Sequence, residues 1–151
     1  MTGYMVQARR AAGAFMLMSG LAGAACGAIT EIDVTMPPEQ EFGFGPRVSA
    51  DGHYVAQVQP RETIRVNRLH AWRLAVRDRD GNAVAGATIT VDGGMPQHGH
   101  GLPTRPRVTK DLGAGSYEVE GIRFNMGGWW VVTFRITTSA GADTVTFNLM
   151  L

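Results

Sequence analysis

From His53 to the C-terminus, apolar and polar residues alternate with a period of two over most of the chain. Tyr54, Ala56 and Val58 share one parity, and Trp72, Leu74 and Val76 repeat the pattern. It returns in Ala87, Ile89 and Val91, in Tyr117 and Val119, in Trp130, Val132, Phe134 and Ile136, and in Val145, Phe147, Leu149 and Leu151. Successive side chains of an extended strand point to opposite faces, so each run predicts a strand with one buried face. Asp80-Gly81-Asn82, Gly113-Ala114-Gly115 and Ser139-Ala140-Gly141 fall between the runs as turn signals. No convincing amphipathic helix interrupts them. About seven short strands at near-regular spacing predict an all-β sandwich, the apolar face of each sheet meeting that of the other. The last two strands are expected to pair as a hairpin across residues 138–142.

The start of the chain reads differently. Arg9 and Arg10 precede an apolar run over 11–25, broken by Gly13, Ser19, Gly20 and Gly23, with small residues around Cys26. This is the pattern of a secretory signal peptide, expected over 1–28. The run is shorter than the roughly 20 residues a spanning helix needs, and no later segment is apolar for long enough. A periplasmic or otherwise extracytoplasmic protein is expected, with no transmembrane helix in the mature chain. Cys26 has two readings. It could become a lipidated N-terminus, but Gly23 stands where a leucine is expected; ordinary cleavage after Ala25 or Ala28 is the alternative. With one cysteine no intramolecular disulfide forms, and the domain must be held by its own core.

Residues 29–51, with Pro37-Pro38 and Phe42-Gly43-Phe44-Gly45-Pro46, read as an irregular leader, and 52–151 as the sandwich domain. The fourteen Lys and Arg include Arg9 and Arg10, so twelve remain in the mature chain against thirteen Asp and Glu. Its net positive charge therefore belongs to the export segment. Nothing in the mature chain offers a basic face or an aromatic-basic interleaving, which excludes a nucleic-acid partner.

The chemistry concentrates in Met95-Pro96-Gln97-His98-Gly99-His100-Gly101. In extended chain the i and i+2 rings of His98 and His100 share one face and can reach one ion. Met95 has the inward parity of Val91, and Met126 follows Ile122 and Phe124 at spacing two, which places it on an apolar face too. Imidazole with thioether favours copper over harder metals. Zinc would normally show four His, Cys or carboxylate ligands, and calcium needs an oxygen cluster. The candidate metal site is therefore Met95, His98, His100 and Met126, with His70 as an outside candidate. The competing reading makes the two histidines loop scaffolding, each ring bonding a loop carbonyl, and the methionines core fillers. His53, after Asp51-Gly52, reads as a surface turn residue.

Several segments together resemble the YtkA-like family: Asn67-Arg68-Leu69-His70-Ala71-Trp72, Gly81-Asn82-Ala83-Val84-Ala85-Gly86, the His-Gly loop, Gly115-Ser116-Tyr117-Glu118-Val119-Glu120-Gly121, and Phe124-Asn125-Met126-Gly127-Gly128-Trp129. The resemblance covers residues 49–151. It implies a small exported immunoglobulin-like β domain, linked in some contexts to copper handling, with the His/Gly and Met/Gly/Trp loops at its signature positions.

An enzyme is not expected. No Gly-x-Ser-x-Gly elbow or Ser/His/Asp order occurs, and the sole cysteine lies in the export segment. The expected function is a copper-binding accessory, in metal handling or cuproprotein assembly, with a periplasmic or membrane protein as possible partner. The alternative is an immunoglobulin-like interaction module with a structural His-Gly loop, docking through an outward Trp129 beside an arginine-rich strand.

Overall fold

Every period-two run coincides with a strand in the computed structural model, which describes residues 34–151, only Ala87 and Leu151 lying just outside their strands. The strands are β1 (Arg47–Val48), β2 (Tyr54–Pro60), β3 (Leu69–Asp78), β4 (Thr88–Met95), β5 (His100–Gly101), β6 (Arg107–Gly113), β7 (Ser116–Arg123), β8 (Trp129–Thr138) and β9 (Gly141–Met150). They pair antiparallel in the order β1-β2-β3-β7-β6-β4-β8-β9, with β5 on β4. The β4–β6 link is a single pair, Thr90 with Arg107. There the ladder turns into two layers, β2-β3-β7-β6 and β4-β8-β9. Lettered A to G in chain order, the seven long strands give A-B-E-D against C-F-G, the order of a constant-type immunoglobulin sandwich.

The inward parity of each strand fills the space between the layers. Trp72, Leu74 and Val76 meet Val119, Trp130, Val132, Phe134, Ile136, Val145 and Phe147, all buried. Each such side chain contributes about 1.5–3 kcal/mol over its exposed state. The β8–β9 hairpin closes as its sequence predicts, Thr138 pairing with Gly141. Strand β6 carries no apolar alternation and is mostly exposed, so its pattern announces no strand. It is held instead by its register on β7, from Arg107 opposite Glu120 to Gly113 opposite Ser116.

The stretch expected to be an irregular leader makes ordered contacts from Glu39 onward. After a 3-10 turn at Glu39–Glu41, Phe42 bridges Asn148 of β9 in parallel, and Gly43 N donates to Asn148 O at 2.8 Å. Strand β1 pairs with β2, and Ala50 N donates to Thr144 O at 2.8 Å. The segment thus covers backbone groups of β9 that an open sheet edge would expose. The expected signal peptide, 1–28 with Cys26, lies outside the described residues. No helix among the described residues is long and apolar enough to cross a membrane.

The registers gather loops 61–68, 96–99 and 124–128 at one end of the sandwich. The opposite end is fastened by Asp143. Its carboxylate accepts from Ser49 Oγ at 2.5 Å and from the backbone N–H groups of Asp51, His53 and Thr144 at 2.6 to 3.2 Å.

Candidate metal-binding site

At the end of β4 the chain reverses tightly. Met95 O accepts from His98 N and from Gly99 N, both at 3.0 Å, and β5 returns along β4 with Gly101 opposite Gly94 and His100 opposite Met95. So close a return needs glycine: a Cβ on Gly94 would lie 2.7 Å from His100 O. Residues directly opposite in an antiparallel pair carry their side chains on the same face. Met95 and His100 therefore share a face.

That face lies against loop 124–128 and the start of β8. Met95 is 1% exposed, and its Cε sits 2.8 Å from where a Cβ on Gly128 would be. The His100 ring stands edge-on to Trp130, centroids 5.6 Å apart, and the His98 ring lies beside it at 6.0 Å with planes inclined by 27°. An ion about 2.0 Å from each ligating nitrogen sits about 3.2 Å from each ring centroid, so rings sharing an ion have centroids no more than about 6.4 Å apart. The observed separation falls inside that limit.

His100 is also oriented. Its Nδ1 is 3.1 Å from Gly101 O. A carbonyl can only accept, so Nδ1 carries the proton in this bond and Nε2 of the neutral ring keeps its lone pair. A backbone carbonyl fixing one ring nitrogen and freeing the other is how imidazole ligands are commonly aimed. His98 is exposed, and its ring makes no hydrogen bond among the described residues. The scaffolding role would require one.

The other candidates are placed differently. Ile122 and Phe124 are fully buried, but β7 ends at Arg123, and the parity that pointed Met126 inward ends with it. Met126 is 36% exposed and reaches the cluster through its carbonyl, which accepts Trp130 Nε1 at 3.1 Å. His70 is buried at the far side of an aromatic row. Trp130 packs on Phe124 at 5.1 Å and Phe124 on His70 at 6.4 Å, so two rings separate His70 from His100. His70 Nε2 is held by the backbone of Arg65, 3.2 Å from its N–H and 2.9 Å from its carbonyl oxygen.

Trp129 is not outward, as the docking alternative would require. It is 5% exposed, donates from Nε1 to Asn148 Oδ1 at 3.0 Å, and meets Phe42 edge-on at 6.5 Å. The segment read as a leader covers it. Both tryptophans of the pair are thus buried, one toward the core and one beneath residue 42.

A second group was not visible in the sequence. Asp51, His53 and Asp143 place one ligand atom each within 4.8 Å of one another. Their spacing, with one partner some ninety residues away in β9, gives no local signal. Burial acts to raise the Asp143 carboxyl, but the Ser49 hydroxyl and the N–H groups of Asp51, Thr144 and His53 together hold it down at about 2. Those donors already occupy its oxygens, so the cluster serves to clamp the hairpin to residues 49–53.

No curated protein and no solved structure matches the chain. The model of one family, described as YtkA-like, matches residues 50–135, from before β2 into β8 and across both the His-Gly and Met-Gly loops. On that match over more than half its length, the chain belongs to the YtkA-like family.

Proposed function

We propose that the protein is an exported, non-enzymatic accessory that binds copper at the β4–β5 hairpin and handles the metal for storage or for assembly of a copper protein. His98 and His100 supply imidazole nitrogens, Met95 supplies a thioether from the same face, and Met126 is a further sulfur at the same end. The observation that carries this reading is the pair of rings at 6.0 Å, one anchored through Nδ1 so that its Nε2 is free. Two imidazoles with thioether neighbours suit Cu(I), with Cu(II) held through the rings. The ions would gain a ready-made site, because the hairpin is closed by its own backbone bonds rather than by the metal.

The reading is tested by competitive titration of Cu(I) and Cu(II) into the purified protein beside a His98→Ala/His100→Ala variant. Neither ring is in the buried core, so the variant is expected to keep the wild-type circular dichroism and melting temperature. One-to-one binding abolished in the variant is expected. Equal binding by both proteins, or tighter binding of zinc than of either copper ion, would overturn it.

A further inference from the structure

The cleft beyond His70, at the same end of the sandwich but across the aromatic row from the hairpin, is built from charged groups. Its volume is about 790 Å³, and Glu62, Arg65, Asn67, Arg68, His70 and Arg123 line it. Three guanidiniums face one carboxylate there. Among the described residues none of the three has an ion-pair partner. Like charges gathered around one cavity repel one another unless an anion lies between them.

Two buried nitrogens point the same way. His70 is 3% exposed; with its Nε2 accepting from Arg65 N at 3.2 Å the ring proton sits on Nδ1, which has no hydrogen-bond partner and lies 3.4 Å from Glu62 Oε1. Arg123 Nε is likewise buried and unpartnered, while its Nη2 donates to Asn67 Oδ1 at 3.3 Å. Buried polar atoms are nearly always satisfied, and an exception calls for a ligand or another cause. Asn67 holds the wall in place at a cost: its φ is +64°, and its N–H donates to Phe124 O at 2.6 Å. A non-glycine residue in the left-handed region is uncommon and persists where the surroundings enforce it.

We propose that this cleft is a second binding site, for a doubly charged small oxyanion such as phosphate or a dicarboxylate, held between Arg65, Arg68 and Arg123 beside His70. The net charge of its lining calls for a dianion, and guanidiniums pair with carboxylate and phosphate oxygens in fork geometry. The site is independent of the copper reading.

The test is amide NMR of the purified protein at low salt, titrated separately with inorganic phosphate and with succinate. Saturable shifts centred on Asn67, His70 and Arg123 are expected, weakened at least about tenfold in Arg123→Gln, the loss of one charged hydrogen-bonding group. An Arg65→Gln/Arg68→Gln variant, altered only at exposed loop positions, gives the same answer should Arg123→Gln unfold. Binding is expected to survive in His98→Ala/His100→Ala, which separates this site from the hairpin. A response to one anion alone assigns the ligand class within the proposal. Shifts that do not saturate at millimolar anion, or that persist unchanged in the arginine variants, would overturn it.

Discussion

Met95 and His100 are register partners across the β4–β5 hairpin, the thioether sealed against Gly128 and the imidazole edge-on to Trp130. Their shared face separates the role of sulfur from that of nitrogen. Met95→Leu keeps the volume and is expected to cost less than about 1.5 kcal/mol of stability. If the thioether ligates, the variant loses Cu(I) affinity by about tenfold or more, while Cu(II), held by imidazoles, is retained. Equal affinities in wild type and variant for both ions would make Met95 a core residue and nothing more.

The same contact makes Gly128 a sensitive position. With φ at +120° and Met95 Cε in the space of a side chain, Gly128→Ala adds backbone strain and a steric clash. The expected loss is about 1–3 kcal/mol in urea unfolding. Shortening Met95 to Ala removes the clash but leaves the strain. The double variant is therefore expected to be more stable than the two single losses added together. Strict additivity would show that the methyl group moves aside freely.

The strands that build the sandwich were legible because their buried faces alternate: Trp72, Leu74 and Val76, or Trp130 through Ile136, could pack in few other ways. Strand β6 was not, since Arg107, Thr109, Lys110 and Asp111 show no apolar face and the strand exists through its pairing with β7. The candidate site was half legible. Met95, His98 and His100 belong to one short hairpin, so their proximity follows from local sequence. Met126 did not follow, because its parity was carried past the end of β7 into a loop. The outward Trp129 of the docking alternative fails for a different reason: its cover, Phe42, lies far away in sequence and in a stretch whose Pro and Gly content suggested no order.

Asp143 should govern the acid limb of stability. Its carboxyl is held at about 2 in the folded protein, below the ordinary aspartate value of about 3.9. A folded value that is depressed gives a contribution fully present above about pH 4 and lost as pH falls toward 2. The contribution is expected to be on the order of 1–2 kcal/mol, read from urea unfolding at stepped pH. Asp143→Asn is expected to be less stable than wild type at neutral pH and to show a flatter loss between pH 4 and 2. A variant curve parallel to wild type in that window would remove Asp143 as the responsible group.

Phe42 and Asn148 bury Trp129, and that cover can be lifted without touching the metal hairpin. Asn148 Oδ1 accepts the indole N–H, and Phe42 closes over the ring while its own backbone bridges to β9. Phe42→Ala removes the apolar lid but leaves the strand pairing, so a loss of about 1–2 kcal/mol is expected, less than for a fully buried phenylalanine. Trp72 and Trp130 have no exposed surface in the wild type. New iodide quenching in the variant should therefore come from Trp129 alone, and Phe42→Ala/Trp129→Phe should abolish it. Quenching of Trp129 already present in the wild type and unchanged in Phe42→Ala would mean that residues 39–48 do not hold the cover in solution, and would return Trp129 to the set of residues available for docking.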